Sequence, residues 1–193
     1  MNPLPADLLA AGISYDEYRR TLVEHNGEHL DAVFADPRIT EADLTLLRRL
    51  PPQVLVAVVE DWCPDVYWTL PMWAHTIARL PEWDLKLFRQ RDQKALADTF
   101  ITKEYARRVP VYAFYDRQGR LQVWWSGRSA TAEQAVTDAL GGVPYKDADE
   151  AAQKRAGLVF HDHYPTRFRR DNFDEILALL CAFHHIVRPA PGG

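Results

Sequence analysis

The sequence contains few cysteines: Cys63 and Cys181 are the two among 193 residues. They stand 118 positions apart, which does not resemble the dense disulfide framework of small secreted domains. The opening stretch, MNPLPADLLAAGISYDEY, also lacks the basic start and long apolar centre of a signal peptide. We therefore expect a protein of the reducing cytoplasm.

Long apolar runs and an excess of basic residues are also absent. No run approaches the ~20 apolar residues of a membrane-spanning helix, so we expect no association with a membrane. Lys and Arg number 23 against 27 Asp and Glu, a formal net charge of −4, which argues against nucleic acid as a partner. The hydrophobic share of 47% and the charged share of 26% are typical of globular proteins.

The first part of the chain, residues 1–52, is predicted to be a helical preface packed on the core. Ser14 and Glu17 have the spacing of a capping box, which predicts a helix that Asn26-Gly27 then breaks or bends. A further helix is predicted over residues 41–50 because its leucines fall on one face.

Residues 53–142 have the pattern of an α/β unit. The apolar, valine-rich run 53–59 lacks alternation, as is typical of a strand covered on both faces. The elements predicted after it are a helix over 67–80, a strand over 84–88, a helix capped by Asp92, strands over 111–115 and 121–125, and a helix over 131–140. The order β-α-β-α-β-β-α predicts a three-layer core, a central mixed sheet with helices on both faces.

Residues 143–193 are predicted to be a C-terminal extension that completes one compact unit. The predicted elements are a helix over 147–156 that ends at Gly157, a short edge strand or loop over 158–160, and a last amphipathic helix from Asp171 or Asn172. Cys181 lies on the apolar stripe of that helix. Because cysteines outside disulfides are commonly buried small hydrophobic residues, we interpret Cys181 as structural.

The segment Trp62-Cys63-Pro64-Asp65-Val66 stands between the first strand and a helix. That helix contains Pro71, Pro110 precedes the third strand, and Gly127 follows the hairpin. In order and spacing these features resemble the thioredoxin superfamily over about residues 53–140. The resemblance implies a thioredoxin-like fold and assigns the family's cis-proline to Pro110.

A narrower resemblance is to a branch of bacterial thioredoxin-like proteins. These have a helical preface and a Trp-Cys-Gly-Asp-Ala type motif with a single cysteine, and Arg91-Asp92 also matches them. Thioredoxin itself has a Cys-x-x-Cys motif and a buried aspartate six residues before its first cysteine. Here Val66 and Ala57 stand at those positions. The resemblance therefore implies a site without its resolving thiol and without its buried acid.

The chemistry expected at Cys63 is that of a single thiol. A helix N-terminus favours the thiolate, whereas the nearby Asp65 carboxylate raises the pKa of the thiol, so we expect a moderately acidic thiol at most. Exchange with a protein or a low-molecular-weight thiol or disulfide then needs an outside thiol to resolve the mixed disulfide, and reversible sulfenylation would suit a sensor.

The alternative is that Cys63 is inert and the protein is a redox-inactive binding or adaptor module. In both cases the resemblance implies that Val109 and Pro110 shape a partner groove. It likewise implies that Trp62, Pro64 and Asp65 frame the thiol. The oligomeric state stays open.

Several other residues could be read as functional, but each has a simpler structural interpretation. His161, His163 and His184-His185 supply possible metal ligands, but no second motif has ligand spacing, so we expect no metal. The tryptophans other than Trp62 are expected to pack in the interior, and we expect no bound cofactor. The cluster Arg167-Phe168-Arg169-Arg170 is interpreted as a solvated lead-in to the last helix.

Overall fold

The structure is a computed structural model that describes residues 3–100 and 109–188. Its elements in chain order are α1 (Ala6–Ala10), α2 (Tyr15–Arg20), α3 (Glu24–Ala35), α4 (Glu41–Leu47), β1 (Val54–Val59), α5 (Pro64–Ala78), β2 (Asp84–Arg89), α6 (Lys94–Asp98), β3 (Val111–Tyr115), β4 (Leu121–Ser126), α7 (Ala130–Ala139), a 3-10 turn (Tyr145–Asp147), α8 (Glu150–His163), a π-helical turn (Tyr164–Phe168) and α9 (Arg169–Phe183). None of the helices in these described ranges is long and apolar enough to cross a membrane.

Contacts divide the chain into two compact units, residues 1–127 with 176–193 and residues 128–175. The first unit contains a four-stranded sheet in the order β2-β1-β3-β4. β1 pairs parallel with β2 and antiparallel with β3, and β3 and β4 form an antiparallel hairpin. This mixed sheet with its helices confirms the predicted α/β fold, whereas the predicted boundaries of the three parts stay a prediction.

Burial explains why β1 has no alternating pattern. Every residue of β1 is buried, and the strand lies between two neighbours in the sheet. A strand covered on both faces gains stability from apolar residues at all positions. The carboxyl end of β1 leads directly into the turn that holds Cys63 and then into α5, which contains Pro71.

The helical preface forms as predicted at Ser14 and again from Glu41, and it differs at Asn26-Gly27. The Ser14 side chain accepts from the Glu17 N–H at 3.2 Å while Glu17 accepts from the Ser14 N–H at 2.7 Å, which confirms the capping box. The predicted break at Asn26-Gly27 is wrong, since both residues lie inside α3. A Cβ at Gly27 would overlap the Arg19 guanidinium group, which lies at the end of a flexible side chain.

Two short contacts join the preface to the sheet. The Leu4 N–H donates to the Gly119 carbonyl in the β3–β4 turn at 2.8 Å. Ile13 forms an antiparallel bridge to Leu87 of β2, with both backbone hydrogen bonds present at 3.0 and 2.9 Å. Gly12 permits this approach because a Cβ there would stand 2.8 Å from the Cβ of Lys86.

The second unit corrects the prediction for the C-terminal extension. α8 continues through Gly157 to His163, so residues 158–160 are helical and form neither an edge strand nor a loop. A glycine inside a helix costs only about 1 kcal/mol. Packing outweighs that cost, since Val159 and Phe160 contact the apolar cluster of Val136, Leu140 and Ala156.

Two helices also start a few residues away from their predicted positions. α9 begins at Arg169, directly after the π-helical turn, and not at the predicted Asp171 or Asn172. α6 begins after Gln93, so Asp92 is not the predicted cap. α5 begins at Pro64, so residues 64–66 form its first turn next to Cys63, as expected for a thiol at a helix N-terminus.

Candidate functional site

Cys63 lies where β1 ends and α5 begins. Its N–H donates to the Glu60 carbonyl at 3.2 Å and closes a tight turn, and its own carbonyl accepts from the Val66 N–H at 3.1 Å. Pro64 occupies the first helical position, where its missing N–H is not needed. The sequence therefore places Cys63 as the N-cap of α5, although its side chain makes no capping hydrogen bond.

The thiol faces the segment that precedes β3. Cys63 Sγ donates to the Val109 carbonyl oxygen at 3.2 Å, and 4% of the residue is exposed. The Val109–Pro110 peptide bond is cis, and the Pro110 carbonyl accepts from the Gly127 N–H at 2.9 Å. The structure thus brings Cys63 together with Val109, which adjoins Pro110 in the chain.

The residues predicted to frame the thiol differ in exposure. Trp62 is 68% exposed and Pro64 is exposed, so both lie on the rim of the site. Asp65 is 2% exposed and lies inside the protein, so it does not line an open rim. The roles predicted for these residues stay predictions.

A chain of hydroxyl groups lies in the interior below the start of α5. Thr69 Oγ1 donates to the Asp65 carbonyl at 2.7 Å, and Tyr112 Oη stands 2.7 Å from Thr69 Oγ1. Since the Thr69 proton is already used, Tyr112 must be the donor of that second bond. Tyr112 also lies opposite Ala57 in the β1–β3 register.

Burial raises the pKa of Tyr112 well above its ordinary value, and the nearby Cys63 and Asp65 raise it further, although the hydrogen bond with Thr69 opposes the shift. The phenol is therefore neutral at pH 7. Thus the interior opposite Ala57, where the resemblance would place a buried acid, contains a neutral tyrosine. Neither Tyr112 nor Thr69 was identified from the sequence, because each also fits an ordinary core position.

Two arginines hold the turn before Cys63. The Arg91 N–H donates to Glu60 Oε1 at 2.6 Å, its side chain donates to Glu60 Oε2 at 3.2 Å, and its second guanidinium nitrogen donates to Asp61 Oδ2 at 2.8 Å. Arg89 Nε donates to Asp61 Oδ1 at 3.1 Å. We call Glu60, Asp61, Arg89 and Arg91 the arginine–acid network.

The arginine–acid network lowers the pKa of Asp61. Burial alone would raise the pKa of this carboxyl, but the hydrogen bonds from Arg91 and Arg89 outweigh it, so the pKa lies below its ordinary value. Glu60 is 3% exposed, and the burial of a carboxylate is tolerated when an arginine pairs with it. The network therefore fixes the two residues that precede Trp62.

The preface contributes a second support to the same turn. Asn26 Nδ2 donates to Tyr67 Oη at 2.7 Å, and the Tyr67 hydroxyl donates to the Asp61 carbonyl. Arg89 also donates to Thr21 Oγ1. α2 and α3 are thus connected to the residues before Cys63, which the sequence did not indicate because Asn26 was interpreted as part of a helix break.

A cleft of about 230 Å³ opens beside Trp62, at the carboxyl ends of β1 and β2. We call it the Trp62 cleft. Its lining residues come from the turn, from the residues after β2 and from α6, and they are Glu60, Trp62, Gln90, Arg91, Lys94 and Asp98.

The remaining candidates lie elsewhere. His161 and His163 are on α8, so their spacing of two does not bring them to one face as it would on a strand. Within residues 3–100 and 109–188, no group of three or more His, Cys, Asp or Glu side chains is placed to hold a metal ion. Cys181 is 3% exposed, as expected for a structural residue, and burial raises the pKa of its thiol.

The exposure of the tryptophans and of the basic cluster can be compared with the predictions. Trp73, Trp83 and Trp125 are buried, as predicted, whereas Trp68 and Trp124 are half-buried. The cluster at residues 167–170 is only partly a solvated lead-in: Arg167 is exposed, but Phe168 and Arg169 are buried, and Arg169 already belongs to α9.

Comparison with known proteins agrees with this α/β fold. Residues 12–140 match the family described as Thioredoxin, a range that begins ahead of α2 and so includes most of the preface. No curated protein matches the chain. A protein of unknown function from Pseudomonas aeruginosa has a similar structure, with a TM-score of 0.66 and 16% identity over 94% of this chain and 99% of that one. An HIV epitope scaffold is similar with a TM-score of 0.64 and 15% identity, over 92% and 97% of the two chains.

Proposed function

The chain belongs to the thioredoxin family, and from that premise we propose that it is a monothiol exchange protein whose reactive group is Cys63. Its substrates are disulfides of low-molecular-weight thiols or of protein partners. The cytoplasm is the proposed location, because an outside thiol is needed for each turnover and reduced thiols are abundant there. We place the protein in the bacterial single-cysteine branch that its Trp62–Val66 motif resembles.

The observation that carries the proposal is the position of Cys63 between a helix start and the Val109 carbonyl. Cys63 is the N-cap of α5, and the positive end of a helix dipole favours a thiolate there. Val66, at the position of a resolving cysteine, is fully buried and has no sulfur. Such a site supports the first half of thiol–disulfide exchange without the second.

The reaction has two steps. The Cys63 thiolate attacks one sulfur of a disulfide R–S–S–R′, a new S–S bond forms to R, and R′S⁻ leaves and takes a proton from water. A second thiol from outside then attacks the R sulfur of the mixed disulfide and releases Cys63 as a thiolate. Overall, one outside thiol replaces R′: the products are R′SH and the disulfide of R with the outside thiol, and no cofactor is required.

The second candidate function is a redox-inactive binding module, and the shielding of the thiol favours it. Only 4% of Cys63 is exposed, and its proton is engaged by the Val109 carbonyl. In that case the segment before β3 would bind an extended peptide through its backbone groups, as sheet-adding recognition does elsewhere.

The two functions differ in the rate at which Cys63 reacts. We would replace Cys181 by serine and measure the reaction of Cys63 with 2-hydroxyethyl disulfide at pH 6–9, for the folded and the urea-unfolded chain. The exchange function predicts a faster reaction in the folded chain at pH 7, by about tenfold, because a thiolate with a pKa below about 8.5 is more populated there.

Mass spectrometry should find one added mercaptoethanol group on Cys63, and the Cys63→Ser variant, with Cys181 retained, is the control that should gain none. A folded chain that reacts more slowly than the unfolded one at every pH would overturn the exchange function and support the binding module.

A further inference from the structure

Tyr112 and Thr69 form a buried bridge between β3 and α5. Tyr112 Oη donates to Thr69 Oγ1 at 2.7 Å, and Thr69 Oγ1 donates in turn to the Asp65 carbonyl at 2.7 Å. Each of these three residues is 2% exposed or less. Because Asp65 lies in the first turn of α5, the bridge connects that turn to the strand.

A second contact joins the start of α5 to the same segment of the chain. Cys63 stands two residues before Asp65, and its Sγ donates to the carbonyl of Val109, which stands three residues before Tyr112. The start of α5 is thus attached to the β3 segment at two places, through the thiol and through the bridge. Movement of this first turn away from β3 breaks both contacts.

The ring of Tyr112 is held independently of its hydroxyl group. Tyr112 lies opposite Trp125 in the β3–β4 register, and the two rings stack with centroids 6.1 Å apart and planes 10° apart. The phenol is also near enough to Cys63 for a charge on the thiol to raise the pKa of Tyr112. The hydroxyl can therefore be removed while the aromatic ring keeps its place beside the site.

With Cys63 as the reactive group, which rests on the function proposed above, we propose that Tyr112 and Thr69 are positioning residues. Their bridge holds Cys63 Sγ against the Val109 carbonyl and so limits the rate at which the thiol reacts. Because 4% of Cys63 is exposed, a reagent reaches the sulfur when the first turn of α5 moves away from β3. The bridge makes this opening less frequent, since a buried hydrogen bond must break each time.

A site with a single thiol gains from such a restraint. Val66 stands where a resolving cysteine would, so an adduct of Cys63 with an unrelated small disulfide cannot be removed within the chain. A restrained thiol forms such adducts more slowly than the same thiol without the restraint. The bridge therefore makes the reaction of Cys63 depend on an opening of the site.

Removal of the phenol hydroxyl tests the bridge. In Tyr112→Phe, the rate at which iodoacetamide alkylates Cys63 at pH 7 should rise about fivefold, the factor by which the loss of one hydrogen bond favours local opening. Mass spectrometry after a timed reaction measures Cys63 and Cys181 separately in one sample. Cys181 should keep its rate, since the bridge lies between α5 and β3.

Substitutions at Thr69 give a second test. Thr69→Val keeps the shape of the side chain but leaves the Tyr112 hydroxyl buried without this partner, so Cys63 should react about tenfold faster. The double variant with Tyr112→Phe should react more slowly than Thr69→Val alone, because it has no unpaired phenol. Thr69→Ser retains the hydroxyl and should stay within about twofold of the unsubstituted protein. Tyr115→Phe, at the far end of β3 opposite Val54, is the control that should leave the rate unchanged.

Three results would overturn the positioning role. Unchanged rates at Cys63 in Tyr112→Phe and Thr69→Val would show that the two hydroxyls only fill the interior. An equal acceleration at Cys63 and Cys181 would show that they stabilise the whole fold and do not position the thiol. A slower reaction in Tyr112→Phe, with the pH midpoint of alkylation moved upwards, would show that the phenol stabilises the thiolate instead.

Alkylation needs no disulfide exchange, so its outcome is separate from that of the exchange function. If Cys63 does not exchange with 2-hydroxyethyl disulfide and yet alkylates faster in Tyr112→Phe, the exchange function is overturned and the bridge stands. Normal exchange together with unchanged alkylation in every variant would overturn the bridge alone.

Discussion

Cys63 and Cys181 are almost equally buried, and neither is in a disulfide, yet their surroundings differ in kind. Cys63 follows β1 by one turn and is the N-cap of α5, and its thiol donates to the Val109 carbonyl. Cys181 lies in the last turn of α9, near the fully buried Leu177 and Leu180 along the helix, and burial raises the pKa of its thiol. Burial alone does not set the pKa of a thiol, because the dipoles and charges around it contribute as well, and these surroundings are where the two cysteines differ.

The largest effect should come from a second thiol next to Cys63, compared with a second thiol next to Cys181. Val66→Cys restores a Cys-x-x-Cys motif at the start of α5, and the smaller side chain fits the fully buried position. We expect a disulfide to form between Cys63 and the introduced thiol. The reduction of insulin disulfides should rise about tenfold or more, since an internal thiol then resolves the mixed disulfide.

The matched control is His184→Cys, which adds a thiol three residues after Cys181. Because the neighbouring Cys181 has a raised pKa and no helix start beside it, this variant should not gain insulin reductase activity. Equal gains in both variants would remove the distinction between the two regions.

The sequence predicted structural features correctly where they depend on residues that are close together in the chain. The Ser14–Glu17 capping box and the valine run of β1 each follow from neighbouring residues, and both formed as predicted. The arginine–acid network could not be predicted, because it joins the residues after β1 to those after β2 across the parallel pair. Arg91 was noted only as part of a resemblance, and its partners depend on the sheet register.

Errors arose where tertiary packing outweighs local preference. Asn26-Gly27 has the composition of a turn, but it lies within α3, where Asn26 binds Tyr67 beside the site. Gly157 has the composition of a helix end, but α8 continues so that Val159 and Phe160 reach their apolar neighbours. In both cases the helix is stabilised by contacts with residues that are distant in sequence, and these contacts outweigh the local preference of the glycine.

An intermediate effect is expected from Arg91→Ala. The change leaves the buried Glu60 carboxylate without its arginine side chain, and we expect a loss of about 1–3 kcal/mol in the free energy of unfolding. The turn before Cys63 should also loosen, so that alkylation of Cys63 accelerates while that of Cys181 does not change, as measured by mass spectrometry.

Arg38→Ala is the control for this variant, because the Arg38–Asp36 pair is exposed on both sides. It should cost about 0.5 kcal/mol or less, as exposed ion pairs do, and leave both alkylation rates unchanged. A loss of stability without any change at Cys63 would show that the network supports the fold but does not position the thiol.

The smallest effect concerns pH. The pKa of Asp61 is lowered in the folded protein, so its contribution to stability is fully present above the unfolded value of about 3.9 and is lost as the pH falls through the folded pKa. Asp61→Asn should therefore destabilise the protein by about 1 kcal/mol or less at pH 6, because solvent screens a partly exposed group.

The difference between Asp61→Asn and the unsubstituted protein should shrink below pH 4, in urea titrations at several pH values. Asp36→Asn, at the exposed pair, should follow the unsubstituted protein throughout. A difference that stays constant down to pH 2 would mean that Asp61 acts through its size and not its charge.

The bridge between Ile13 and Leu87 has a consequence for how the protein behaves in concentrated solution. β2 is an edge strand, and unpaired backbone groups on such an edge attract strands from other molecules. Ile13 occupies the backbone groups of Leu87 in the middle of that edge, and Gly12 lets the chain come close enough to do so. The helical preface thus protects β2 from pairing with strands of other molecules. This protection does not depend on any chemistry at Cys63.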